Sequence, residues 1–222
     1  MSRHFDREID HLKKKILAMS SVVEESIARA IAAVMKHDVV LAQQVAAGED
    51  EIDQMEVDVE EDCLKILALH QPVAVDLRFV VAVLKINNDL ERMADLAVNI
   101  ARRAEYLASL PRFEVPPILE EMAHKTQSMV KQCLDALVEA DVANARQVCL
   151  SDRDIDQYNR QMHVLIQDQI RATPDEVERL IHLLSVSRHL ERIADLATNV
   201  AEDVIYSVEG EIVRHRVPAF ID

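Results

Sequence analysis

The sequence predicts an all-α protein built as two tandem three-helix-bundle repeats, six long antiparallel helices related by a pseudo-twofold axis. Three observations carry this. Hydrophobic residues make up 50 % of the chain but aromatics only 3 %, so the core must come from Leu, Ile, Val, Ala and Met, the side chains of packed helices. The 2 glycines are far too few for the turns of an all-β protein. Finally, Leu90–Ala101 returns one hundred residues later as Leu190–Ala201 with nine of twelve positions identical, so the chain is an internal duplication.

Each helix is bounded by local chemistry. The first spans 3–36 and gives way to Asp38, an N-cap that follows one hydrophobic run and opens another. The second, 38–70, stops where Gln71-Pro72 cannot continue it. The third spans 72–109 and ends before Pro111, which with Pro116-Pro117 brackets a short irregular stretch. A fourth covers 118–139, and Asp141, a second N-cap, opens the fifth at 141–171. Thr173-Pro174-Asp175-Glu176 reads as a helix start with Thr as N-cap, so the sixth runs over 175–209. Pro218 ends the order of the chain. Helices of about thirty residues reach roughly 45 Å, and short connections make neighbours antiparallel.

The duplication extends beyond the opening motif. Asp38-Val39 through Gln44-Val45 resembles Asp141-Val142 through Gln147-Val148, and Ile52-Asp53-Gln54 matches Ile155-Asp156-Gln157. The offset is 103 there and falls to 100 at the later motif, which places a three-residue loss near the Pro72 and Pro174 turns. The repeats are therefore 1–110 and 111–222, packed as one structural body.

A net charge of −15 argues against nucleic acid or an anionic membrane as direct partners, since Lys and Arg dominate both kinds of contact. No apolar run approaches a membrane span, and the first residues do not begin a signal peptide. Cys63, Cys133 and Cys149 lie far apart without a CxxC and read as free thiols of a reducing cytoplasm.

At 100° per residue, Glu91, Asp95, Asn99 and Asn88 share one face, opposite a core stripe of Met93, Leu96, Ala97 and Ile100. The second copy repeats the face with Glu191, Asp195, Asn199 and Arg188, and Arg92 and Arg192 flank the acids. The preceding helix of each repeat carries another pair, Glu49 with Asp53 and Asp152 with Asp156. Counted from the Pro72 and Pro174 turns, these pairs sit at the height of the motif acids, so each repeat gathers four carboxylates from two helices. Such oxygen-rich sets suit hard cations: Mg²⁺, Mn²⁺ or Fe²⁺. The plainer reading is a solvated helix face, for Asp6/Asp10 and Asp58/Asp62 show the same spacing.

Other chemistry is absent or weak. Glu8/His11 and Glu121/His124 have the Glu-x-x-His spacing of di-iron bundles, but they fall about 15 Å out of register along the repeat and read as chance. His189 points away from Glu191 as a satisfied or exposed histidine, and the Met residues lie on apolar stripes. No Walker A, GxGxxG, HExxH or GxSxG occurs, and nothing pairs a nucleophile with a base, so the sequence does not read as an enzyme.

Taken together, His4-Phe5 with Glu8-Ile9 and Leu12, the Asp38 helix start, Gln71-Pro72-Val73-Ala74-Val75-Asp76-Leu77-Arg78 and both Leu-Glu-Arg-x-x-Asp-Leu-Ala motifs resemble the PhoU family of phosphate-uptake regulators. The usual Gly before the motif aspartate is Ala94 and Ala194 here, and the second repeat lacks the Gln-Pro-Val-Ala turn. The resemblance implies a cytoplasmic, dimeric adaptor between the ATPase subunit of a phosphate ABC transporter and a membrane sensor histidine kinase. It restrains uptake and keeps the starvation response off when phosphate is plentiful. Carried over, the metal positions of some members are Glu49, Asp53, Glu91 and Asp95, then Asp152, Asp156, Glu191 and Asp195. The rival readings are a carboxylate-rich metal-storage or redox bundle and a purely structural helical scaffold.

Overall fold

The computed structural model describes residues 3–213, so the expected end of order at Pro218 lies outside the described residues. Among the described residues seven helices follow one another: α1 (Arg3–Lys36), α2 (Val39–Ala47), α3 (Glu49–His70), α4 (Ala74–Ala108), α5 (Pro117–Glu139), α6 (Val142–Ala172) and α7 (Val177–Glu209). A 3-10 turn at Pro174–Glu176 precedes α7, and no strand occurs among the described residues. The two-repeat, all-α architecture is the one expected. None of these helices is long and apolar enough to cross a membrane.

The two Asp caps work as the sequence predicts. Asp38 Oδ1 accepts from the N–H groups of Val40 and Leu41, and Asp141 Oδ1 accepts from Asn144 N–H. The residue before each cap is left-handed, His37 at φ 54 and Ala140 at φ 53, which lets the chain reverse between helices in equivalent ways in both repeats. A Cβ resists that conformation. Ala140→Gly is expected to raise stability by about 0.5–1 kcal/mol, read as a higher urea midpoint at unchanged slope.

Three boundaries differ from expectation. The helix expected over 38–70 is interrupted at Gly48 (φ −89, ψ −3), whose N–H bonds back to Val45 O, three residues away, and breaks the regular ladder. Glycine costs about 1 kcal/mol in a helix interior, and Ser151 stands at the equivalent place in the unbroken α6. The helix expected from 72 begins at Ala74, because Pro72 and extended Val73 (φ −130, ψ 159) form the turn. Thr173 does not cap the last helix. Its hydroxyl donates back to Gln169 O at 3.0 Å, and Pro174–Glu176 wind as a 3-10 turn before α7 starts.

The helices assemble as two units, α1–α4 and α5–α7, joined chiefly along α4 and α7. Met93, Leu96, Ala97 and Ile100 are buried as the stripe predicts, and Ile193, Leu196, Ala197 and Val200 repeat them on α7. Each unit also locks its last helix to the preceding one by a polar tie. Asn87 Nδ2 donates to Glu56 O at 2.9 Å, and the matching Ser187 hydroxyl donates to Asn159 Oδ1 at 2.8 Å. The three cysteines are free and buried, and burial pushes the Cys63 and Cys149 thiols up to about 12, which leaves them unreactive.

Candidate functional site

The repeated motif sits where α4 and α7 cross the pseudo-twofold. At one end Lys85 Nζ lies 3.2 Å from Asp203 Oδ1; at the other Tyr106 stacks on His182 at 3.9 Å between ring centroids. That register makes the helices antiparallel and puts Asp95 within about 3 Å of the height of Asp195. Between them opens a cleft of about 350 Å³. It is lined by Arg92, Asp95, Leu96 and Asn99 of α4 and by their counterparts Arg192, Asp195, Leu196 and Asn199 of α7. All eight residues belong to the two copies of the motif.

An acidic cluster flanks each side of this cleft. On the first side Glu91 is pushed up to about 7 by burial, by the charges of Asp95, Glu56 and Asp53, and by a hydrogen bond with Asp95. Burial, Glu60, Asp53 and Asp95 likewise raise Glu56. On the second side Asp152 is pushed up to about 6 by burial, then by Asp195, Asp156, Glu191 and Glu202. Asp195 is raised by burial, Glu191 and Asp156, with Arg192 opposing. Asp95 and Asp195 thus belong at once to their own cluster and to the shared cleft.

The eight expected acids are not placed alike. Asp53 and Asp95 both act on Glu91 in the first repeat, and in the second Asp156, Glu191 and Asp195 act on Asp152, with Glu191 and Asp156 acting also on Asp195. Glu49 is engaged elsewhere, 3.6 Å from Arg102 Nη2. Glu56 joins the first cluster in its stead, and Glu202 (9 % exposed) joins the second. A comparison of the repeats hides both, because their counterparts are Asn159 and Arg102. The flanking Arg92 leans on Asp89, 3.6 Å away.

His189 also departs from expectation. It is half-buried with no protein hydrogen-bond partner for either ring nitrogen. Burial, followed by Arg103, Arg192 and Arg188, holds its pKa down at about 4, so it stays neutral near pH 7. It therefore adds no charge beside the cleft.

As a donor set, each cluster offers carboxylate oxygens without thiolate or imidazole, the chemistry hard divalent cations prefer. Burial and mutual repulsion have already raised several proton affinities, and a cation would relieve the same repulsion. The clusters stand open, however: among the described residues no three of these carboxylates bring oxygens within 4.8 Å of one another.

Comparison with known proteins adds an independent line. Residues 16–104 and 119–204 each match the PhoU domain. The chain is 39 % identical to the phosphate-specific transport system accessory protein PhoU homolog of Aquifex aeolicus, over 95 % of this chain and 95 % of that protein. It is 37 % identical to the protein of the same description from Pseudomonas aeruginosa, over 97 % of this chain and 89 % of that protein. The crystal structure of PhoU from Pseudomonas aeruginosa superposes with a TM-score of 0.89 at 35 % identity, covering 93 % of this chain and 100 % of that one. The phosphate transport system regulatory protein PhoU from Streptococcus pneumoniae gives 0.83 at 29 % identity, covering 94 % and 99 %.

Proposed function

We propose, because this chain belongs to the PhoU family, that it is an accessory regulator of a phosphate-specific transport system and not a catalyst. It restrains phosphate uptake and keeps the starvation response off when phosphate is plentiful, as a cytoplasmic homodimer that links the transporter's ATPase subunit to a sensor histidine kinase. The observation that carries this is the match of both repeats to one domain, together with near full-length identity to proteins of that description.

Within this reading the carboxylate clusters hold divalent cations. Asp53, Glu56, Glu91 and Asp95 serve one side of the cleft, and Asp152, Asp156, Glu191 and Asp195 the other. Mg²⁺, Mn²⁺ or Fe²⁺ there would supply positive charge to a strongly acidic surface, and the exposure of Asp53 and Asp95 gives an ion access to their oxygens.

Deleting the gene is expected to turn on phosphate-starvation genes at least several-fold in rich phosphate. A pull-down from phosphate-replete cells should recover the transporter ATPase or a sensor kinase. Repression that persists in the deletion strain would end the adaptor reading. Complementation with Asp95→Asn plus Asp195→Asn should restore little of the repression; full restoration would reduce the clusters to scaffold surface.

The acidity of the clusters also favours a second reading, a metal-storage or redox bundle. Elemental analysis of protein purified without chelator tests this second reading, and the deletion and pull-down above test the first. Near-zero bound metal, with stability unmoved by Mn²⁺ or Mg²⁺, removes the storage reading.

A further inference from the structure

A third group of ligating side chains lies away from the cleft. His4 and Glu8 stand one turn apart near the start of α1, and His70 is the last residue of α3, where Gln71 turns left-handed (φ 46, ψ 57) and ends the helix. α1 and α3 run antiparallel, so the start of one meets the end of the other. His4 Nε2 is 3.3 Å from Glu8 Oε1, and His70 Nε2 is 2.5 Å from Glu8 Oε2. Among the described residues these are the only three His, Cys, Asp or Glu side chains whose ligand atoms all fall within 4.8 Å of one another. Phe5, 5 % exposed, packs against the His70 ring at 5.3 Å between centroids and fixes its orientation.

We propose that His4, Glu8 and His70 form a zinc-binding site, independent of the carboxylate clusters and of the regulatory reading above. Two imidazoles and one carboxylate are a borderline donor set, suited to Zn²⁺ or Co²⁺ and ill suited to Mg²⁺. Bonds of about 2.0 Å in a tetrahedron set ligand atoms roughly 3.3 Å apart, the separation already present between His4 and Glu8. The two histidines approach opposite oxygens of one carboxylate, so a cation takes the place of the His70–Glu8 hydrogen bond, whose 2.5 Å contact opens toward that spacing. Three protein ligands leave a fourth position for water on the side of His4, whose side chain is 70 % exposed.

The location separates this site from the cleft. His70 lies fourteen residues beyond Glu56 on α3, about 21 Å along the axis. It is also not duplicated: Thr173 holds the place equivalent to His70 in the second repeat. A bound ion would pin the first turns of α1 to the end of α3, beyond the Lys15–Asp62 ion pair (2.6 Å) that ties the same two helices further along, and so brace the tip of the first unit only.

Cobalt spectroscopy on the full chain tests the proposal. One equivalent of Co²⁺ is expected to give the intense visible absorption of a four-coordinate ion, displaced by added Zn²⁺ and lost in His70→Ala and in His4→Ala. It should persist in Glu91→Gln plus Asp152→Asn, because all-oxygen carboxylate sets hold cobalt in octahedral form with weak absorption. His4 is exposed, so its variant retains the fold, checked by far-ultraviolet circular dichroism, and decides the matter if His70→Ala fails to fold. A weak octahedral spectrum from the unmodified chain, or an intense one that survives His4→Ala, overturns the site.

Discussion

Leu96→Ala is expected to cost about 2–5 kcal/mol, and Leu196→Ala about the same. Both side chains are 4 % exposed, and both line the cleft where α4 meets α7. Each truncation removes buried methyl groups and leaves space that the antiparallel helices fill only in part. The measurement is chemical unfolding, read as the shift of the urea midpoint with the slope held constant. The double variant distinguishes a shared contact from two separate ones. Residues around one cavity couple by about 0.5–3 kcal/mol, whereas distant ones add within about 0.5 kcal/mol. Strict additivity would show that the two leucines do not face a common space, and the α4–α7 register would then be wrong.

The features legible in the sequence were those set by local chemistry. Asp38 and Asp141 cap helices because an Asx side chain satisfies nearby N–H groups whatever the tertiary setting. The stripe Met93, Leu96, Ala97 and Ile100 is buried because helical periodicity fixes which side faces the core. Thr173 misled because its hydroxyl had a competing acceptor one turn back, in Gln169 O. Heights along each hairpin could be counted from its proline, so Asp53, Glu91 and Asp95 fall together as expected.

Other features depended on which helices touch across the whole chain. Counting residues within one hairpin says nothing of α4 lying beside α7. Such counts assign one patch to each repeat without relating the two, and the structure brings them to a common cleft through Asp95 and Asp195. Glu56 and Glu202 were hidden for a different reason. Matching the two repeats selects residues that stayed the same, and these two face Asn159 and Arg102 in the comparison. The Glu49–Arg102 ion pair follows from the same asymmetry, since Arg102 attracts the acid while Glu202 repels its counterpart Asp152. The His4–Glu8–His70 group joins residues 62 apart in sequence, with no repeat to announce it.

That asymmetry bears on the second large effect, the pH dependence of the metal-free protein. Glu91 rises from its ordinary 4.5 to about 7 in the folded chain, and Asp152 from 3.8 to about 6. Between those values the folded state holds more protons than the unfolded one, so stability falls as pH rises. The contribution is complete below the ordinary values and is lost as pH climbs through about 6 and about 7. With chelator present, the thermal midpoint should drop by a few degrees from about pH 5 to about pH 8; the partial exposure of both groups keeps the shift modest. Glu91→Gln with Asp152→Asn should flatten that slope and raise the midpoint at the alkaline end, because neither amide acquires charge there. Mn²⁺ or Mg²⁺ should restore the wild-type midpoint at about pH 8 and do little for the double variant, since the cation and the lost protons neutralise the same oxygens. A double variant that keeps the wild-type slope would place the pH dependence elsewhere, and one that keeps the full cation response would take Glu91 and Asp152 out of the binding set.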